Sequence, residues 1–288
     1  MGIASRRDFL KAAGAVGIAA SVGVEPLAAK RLHMPIGLEL YSVRDMLPKD
    51  FDGTLAQVRA AGYTVAEAAG FYNRSAADFR GSMAKAGIRC ISAHYTLSLL
   101  ETQLDSLMEY AHGIGLEYMI CSSSGGMHRD PTAKGPATLD DWRWIAGQFN
   151  KVGEKVKAAG MTFGVHNHIP EFANFNGTIV YDELLRLTDP KVVVFEMDAG
   201  WVSAAGFNPI DYLKKSPERF PLMHIKDVAR GADGKFHSAV LGQGKMDYAP
   251  IMRAATGLKQ YFIEQEQFTM DPMQELRIEA QYMRNLNV

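Results

Sequence analysis

The chain has 288 residues, 47% hydrophobic and 22% charged, the make-up of a soluble globular protein with a sizeable core. With 31 Lys and Arg against 32 Asp and Glu the net charge is -1, which offers no basic field to a phosphate backbone and argues against a nucleic-acid partner. No Pro/Ser-rich linker divides the chain, and α/β barrels reach this length as one domain.

The N-terminus is a different kind of sequence. Ser5-Arg6-Arg7-Asp8-Phe9-Leu10-Lys11 matches the twin-arginine export pattern S-R-R-x-F-L-K at every specified position. An Ala/Gly/Val stretch follows to about Val24, with small residues suited to cleavage near Ala28-Ala29. Residues 1–30 are therefore expected to be a removable signal read by the Tat export machinery, and 31–288 the folded domain. The weakly apolar run is short and no second span follows, so no stable membrane insertion is expected once the signal is gone. The expected address is periplasmic or secreted. Export in the folded state suits a protein that loads a cofactor beforehand.

From Pro35 onward short apolar runs alternate with amphipathic segments. Ile36–Ser42 reads as the first strand and Asp50–Ala61 as its helix, ended by Gly62. Thr64–Ala69 is the second strand, with a helix from the N-cap Ser75 to Gly87. Ile88–His94 precedes a helix from about Glu101 to Gly113, and Glu117–Ser123 precedes a loop through Met127–Pro136 and the longest helix, Leu139–Ala159. Thr162–His168 is the fifth strand, followed by the helix Ile179–Leu187. The run VVVFEMD closes on Asp198, a helix at Pro209–Lys215 crosses over, and FPLMHIKD carries His224. A polar, Gly-rich loop at Val228–Lys245 leads to a helix near Asp247–Ala255, then the strand Gln260–Glu266 and the helix Pro272–Arg284. Alternation of this kind predicts an α/β fold, a single closed (β/α)₈ barrel, with an open doubly wound sheet as runner-up. Cys90 and Cys121 are expected to be buried free thiols, the alternative being a bridge between neighbouring units.

A barrel gathers function at the C-terminal ends of its strands. Those ends offer Glu39 and Tyr41, Glu67, His94, His166 and His168, Asp198, His224 and Lys226, then Glu264 and Glu266, with nothing obvious on the fourth strand. A lone strand His is most often a core group; so many strand ends together point to a site. Asp, His and Glu with a further imidazole suit one divalent ion (Mn²⁺, Mg²⁺, Fe²⁺, Co²⁺ or Zn²⁺) with open positions. No thiolate is well placed, which argues against a closed structural zinc. Period-two alternation puts His166 and His168 on one face of their strand and Glu264 and Glu266 on one face of theirs, so one member of each pair can ligate while the other orients it or meets substrate. Gly242-Gln243-Gly244 follows a long loop and reads as a turn, not a dinucleotide fingerprint. Asn174-Phe175-Asn176-Gly177 reads as loop punctuation.

These residues resemble the xylose isomerase-like TIM barrels of sugar phosphate isomerase/epimerase type. The resemblance runs from LELYSVRD (Leu38–Asp45) through VAEAAG, SAH, HNH, MDAGW (Met197–Trp201), HIKD and LGQGKMDY to IEQE. It implies one divalent metal held by strand-end residues, the last three being Asp198, His224 and Glu264. The first position departs from the pattern: where those enzymes carry Glu-Asn-His, this chain has His166-Asn167-His168. His166 is accordingly expected as the fourth ligand, with Glu171 able to supply the missing carboxylate. Three residues past Asp198, where epimerases carry a His, stands Trp201. His-x-His here also resembles inosose dehydratases.

The expected chemistry is isomerase/epimerase-type: a base removes the proton α to a carbonyl of a neutral sugar or keto-sugar, and the metal stabilises the resulting enediolate. Candidate bases are Glu264, Glu266, His168 and Lys226. Glu39, Tyr41, Glu67, His94 and Trp201 are candidate substrate contacts, and Tyr41, Trp201, Phe71 and Tyr72 could stack on a sugar ring. The same enolisation would serve a lyase, a dehydratase or a keto-glycoside-cleaving enzyme. A carbohydrate-binding barrel without turnover is the alternative of another class. The metal-dependent endonuclease branch of the fold would need more ligands and a positive surface. A homodimer through the outer helices is compatible with the fold.

Overall fold

The structure is a computed structural model that describes residues 34–123 and 137–288, all within the unit Arg31–Val288. The export signal at 1–30 and the loop Met127–Pro136 lie outside the described residues. Eight strands make one sheet: β1 (Gly37–Glu39), β2 (Val65–Ala68), β3 (Arg89–Thr96), β4 (Tyr118–Ser123), β5 (Thr162–His166), β6 (Val193–Asp198), β7 (Leu222–Ile225) and β8 (Gln260–Ile263). Each pairs in parallel with the next, and β8 returns to β1 through Gly37–Phe262 and Leu38–Ile263. That closure makes the sheet a (β/α)₈ barrel and excludes the open sheet.

Ten helices cover it: α1 (Phe51–Ala61), α2 (Ala76–Ala86), α3 (Leu97–Thr102), α4 (Leu104–Ile114), α5 (Leu139–Ala158), α6 (Val180–Leu187), α7 (Ala199–Ala204), α8 (Pro209–Lys215), α9 (Tyr248–Ala254) and α10 (Pro272–Asn285) among the described residues. Local chemistry sets their starts. Asp50 and Ser75 accept from Gly53 N and Asp78 N, and Thr138 with Asp141 forms a capping box ahead of α5. The single helix expected near Glu101–Gly113 is interrupted at Gln103, which gives α3 and α4.

The pleat determines what lies inside the barrel. Val65, Ile91, Ile120, Leu222 and Phe262 form an apolar plug that is nearly inaccessible to solvent. Two residues further along three of those strands come Glu67, His224 and Glu264, so the same faces that build the plug turn polar at the mouth. At Gly164, two before His166, any Cβ would stand 2.6 Å from the plug residue Ile120. Burying each large plug side chain contributes about 1.5–3 kcal/mol, which anchors the polar layer from below.

Two local expectations differ from the structure. The Gly-rich segment after His224 is not simply a loop: Asp227–Arg230 pairs antiparallel with Phe236–Ala239. Asn174–Phe175 and Thr178–Ile179 likewise form a short ladder around Asn176-Gly177. Cys90 and Cys121 are both free and buried. Cys121 pairs with Tyr95, five positions along β3 from Cys90, or about 16 Å, too far for a bridge.

Candidate functional site

The polar layer above the plug is one connected network. His224, on β7, has a carboxylate at each ring nitrogen: Nδ1 lies 2.9 Å from Glu264 Oε2 and Nε2 lies 2.7 Å from Glu67 Oε2. His166, at the end of β5, places Nδ1 3.1 Å from Glu196 Oε2, and His94 on β3 places Nε2 2.8 Å from the same oxygen. The three imidazoles pack together, with His166 and His224 ring centres 4.5 Å apart and His94 stacked on His224 at 5.4 Å.

Asp198 is held in place by the backbone around it. It ends β6 and caps α7, where its Oδ1 accepts from Trp201 N at 2.8 Å. Oδ2 is buried and makes no hydrogen bond, although the Lys226 ammonium stands 3.1 Å away. Asn167 ties β5 to this strand end: its Oδ1 accepts from Asp198 N at 3.1 Å and its Nδ2 donates to Asp198 O at 3.2 Å. The helix turn after Asp198 lies so close to β7 that a Cβ at Gly200 would stand 2.5 Å from Lys226 O. A side chain there would push Asp198 away from His224.

Donor atoms of His166, Asp198, His224 and Glu264 all lie within 4.8 Å of one another. This is the four-residue set expected from the sequence. Two overlapping groups meet the same spacing, His94–His166–Glu196–His224 and Glu39–Glu67–His94–His224. The donor types, the unbonded Asp198 Oδ2 and the surplus of carboxyl groups over ammonium groups in this layer suit a divalent cation.

Electrostatics sort the titratable groups. Burial, reinforced by the positive charge of His224, His94 and Lys226, holds His166 well below the ordinary imidazole value, so it is neutral. Burial and nearby Lys226 bring His168 down to about 4. Burial also pulls on His224, but Glu196, Glu264 and Glu67 outweigh it and hold the imidazole well above its ordinary value. Burial raises Asp198 to about 6 against the pull of Lys226. Glu264 goes the other way: Lys226 and His224 overcome its burial and keep it ionised. Burial pushes Glu39 up, so it holds its proton.

The remaining predicted residues fall into two places. A cavity of about 660 Å³ opens over the cluster, with Tyr41, His94, His168, Glu264 and Glu266 in its wall. No Lys or Arg is among the described residues lining it. Glu39 and Glu67, expected to contact substrate, are fully buried beneath the imidazoles. Lys226 is also sealed. It forms ion pairs with Asp198, Glu264 (2.8 Å) and Glu266, and its Nζ lies 4.6 Å from the Trp201 ring centre. Trp201 therefore covers Lys226 and is not part of the cavity wall. Phe71 packs on Phe79 and Tyr110, and Tyr72 on Phe51, which accounts for both as packing. Glu171 lines the cavity and accepts from His168 N at 2.9 Å; it is not in the ligand cluster.

Sequence reasoning missed Glu196, which touches His94, His166 and His224. The signal was available: Glu196 lies two residues before Asp198, on the same face of β6.

A family model described as xylose isomerase-like TIM barrel matches residues 55–286, and one for the twin-arginine translocation pathway signal sequence matches residues 4–23. The second match supports export from the cytoplasm. Among the described residues no helix is long and apolar enough to cross a membrane. An inosose dehydratase from Geobacillus kaustophilus (strain HTA426) is 26% identical over 235 residues, covering 69% of this chain and 74% of the relative. A sugar phosphate isomerase/epimerase structure from Parabacteroides distasonis ATCC 8503 aligns at TM-score 0.72 and 28% identity, over 86% of this chain and 97% of that one. A structure of IOLI protein with a bound zinc atom shares the fold, with TM-score 0.67 and 13% identity over 88% of this chain and 98% of that one.

Proposed function

The chain belongs to the xylose isomerase-like TIM barrel family, and from that premise we propose that it is a metal-dependent enzyme of isomerase/epimerase type, exported to the periplasm or beyond. It removes the proton α to a carbonyl of a neutral sugar or keto-sugar. The observation that carries this reading is the convergence of His166, Asp198, His224 and Glu264 within 4.8 Å, beneath a cavity whose described wall holds no Lys or Arg.

Those four residues would hold one divalent ion, which when bound supplies Lewis acidity toward a carbonyl and its neighbouring hydroxyl. The chain's own groups handle the protons. Glu264 is ionised and faces the cavity, so it is assigned as the base that takes the α-proton while the C–H electron pair delocalises into the carbonyl. His168, also in the cavity wall, is neutral and follows the end of β5 by two residues, three strands from β8 in the barrel. It can exchange a proton with the substrate from another side. A proton returned at the neighbouring carbon isomerises the sugar, and one returned on the opposite face epimerises it. Lys226 is sealed and protonated, so its role is to hold Glu264 and Glu266 in place. Glu266 and Tyr41 are left to contact substrate hydroxyls and the ring face.

A second reading, elimination of a β-hydroxyl or glycosidic oxygen after the same enolisation, is favoured by the similarity to an inosose dehydratase. The test covers both. A panel of keto-sugars and keto-cyclitols is incubated in deuterated buffer with the metal-loaded protein and with Glu264→Gln. Exchange at the α-carbon is expected from the wild type and should fall at least about 100-fold in the variant. An isomeric product supports the first reading and an unsaturated one the second. Undiminished exchange by Glu264→Gln would remove Glu264 as the base. No exchange with any compound would favour a binding barrel without turnover.

A further inference from the structure

The cavity over the cluster has two unlike sides. The strand ends of β5 and β8 supply its carboxylates and a neutral imidazole, through Glu171, Glu264, Glu266 and His168. The neighbouring ends of β1, β2 and β3 supply, apart from His94, only uncharged residues to the described wall, among them Tyr41, Ala69, Gly70 and Leu99. Six large apolar side chains are exposed among the described residues, and two of them, Tyr41 at 42% and Leu99 at 38%, line this one cavity. Tyr41 stands at the junction of the two sides. The Arg44 guanidinium lies 4.2 Å from its ring centre and donates to Tyr41 O and to Glu266 O, each at 2.9 Å, which fixes the ring beside the carboxylate side. Beyond it the space is open: a Cβ at Gly70 would meet nothing within 4 Å. At about 660 Å³ the cavity far exceeds a hexose, which takes up about as much room as six waters, or about 180 Å³. It is the size of pockets that hold drug-sized ligands.

Resting on the α-proton chemistry assigned above, we propose that the substrate is a glycoside whose reacting ring lies at the carboxylate side and whose apolar, aromatic aglycone lies along Ala69, Gly70 and Leu99. Leu99, on the short helix α3 that follows β3, is the residue that determines this specificity. A free hexose would leave Leu99 against water, whereas an aryl group buries it. An anionic aglycone finds no Lys or Arg among the described residues of the wall. A second sugar would need hydrogen-bond partners that the side chains of Ala69 and Leu99 lack.

The test titrates the metal-loaded protein calorimetrically with methyl β-glucoside, phenyl β-glucoside and cellobiose, and follows α-proton exchange on the keto derivatives of the first two. The phenyl compound should bind at least about tenfold more tightly than the methyl one and exchange with at least about tenfold higher kcat/KM. Leu99→Asp should bring both ratios to within about twofold of one. Ile278→Asp, at a site on α10 that is also 38% exposed but outside the cavity wall, should leave the ratios as in the wild type. Equal treatment of the phenyl and methyl compounds, tighter binding of cellobiose than of phenyl glucoside, failure of all three to bind, or ratios indifferent to Leu99→Asp overturns the aglycone site. Exchange seen in those experiments would leave the reaction itself standing. Preferential binding of the phenyl compound without exchange of either keto derivative supports the aglycone site and counts against the reaction instead.

Discussion

At the scale of single residues, Lys226 is the group on which the site's charge balance depends most. It is inaccessible to solvent and in contact with three carboxylates, Asp198, Glu264 and Glu266. Removing one partner from a buried ion cluster costs about 3–5 kcal/mol, because the charges left behind have neither water nor counter-ion. Lys226→Met, which keeps the bulk of the stem, should lower metal-free stability by that amount in urea denaturation. Added divalent ion should recover part of the loss by neutralising Asp198 and Glu264. A variant as stable as the wild type, with no response to metal, would contradict the described pairing. The residues proposed as ligands were legible because each follows an apolar run at a strand end. Their partners were harder to read: Glu196 lies within a run of Val, Phe and Met, and its role depends on reaching His94 and His166, which come from strands distant in sequence. Glu39 and Glu67 were recognised as special, but periodicity alone does not reveal that they are sealed under the imidazoles.

At the scale of elements, the segment after His224 carries the largest departure from expectation. Its Gly and polar residues read as loop, yet Asp227 organises it from one point. Asp227 Oδ2 accepts from Gly242 N and Gly244 N at 3.0 and 2.9 Å, and Oδ1 accepts from Val228 N and Met246 N at 2.8 and 3.0 Å. The Gly-Gln-Gly turn is thus the rim of a carboxylate clasp. The hairpin held there supports the cavity wall, because Ser238 Oγ accepts from Glu266 N at 3.2 Å. A Cβ at Gly244 would lie 2.2 Å from Asp227 Oδ1. Gly244→Ala should therefore break the clasp, cost about 2–4 kcal/mol and depress turnover through a displaced Glu266. Unchanged thermal stability would contradict the clasp. Strand and helix positions were otherwise legible to within a few residues, since caps such as Asp50, Ser75 and Thr138 act locally. The hairpin was not, because its strands are four residues each and are paired by a carboxylate outside the apolar pattern.

At the scale of the whole molecule, closure of β8 on β1 brings distant sequence together, and the last helix, α10, carries a buried acid. Glu279 on α10 is almost fully buried, and its Oε2 has no hydrogen-bond partner. Burial raises its carboxyl to about 8, with a contribution from the negative charge of Glu275 and Asp227. The folded protein thus keeps a proton that the unfolded chain loses near its ordinary value of 4.5. Between those two values the native state binds more protons, so this group's contribution is complete at acid pH and declines as pH rises toward 8. The slope is at most about 1.4 kcal/mol per pH unit. Glu279→Gln should flatten the stability profile across that window and be the more stable protein above it. Parallel profiles would show that Glu279 is ionised in the fold.

The barrel, its apolar plug and its polar mouth all lead to one claim, that the mouth holds a divalent ion. Elemental analysis of the protein purified without chelator, beside His224→Ala, tests it directly. About one equivalent of a divalent transition metal, lost in the variant, is the expected result. Metal-free protein in both cases, with melting temperatures indifferent to added Zn²⁺, Co²⁺ and Mn²⁺, would contradict the account of the site.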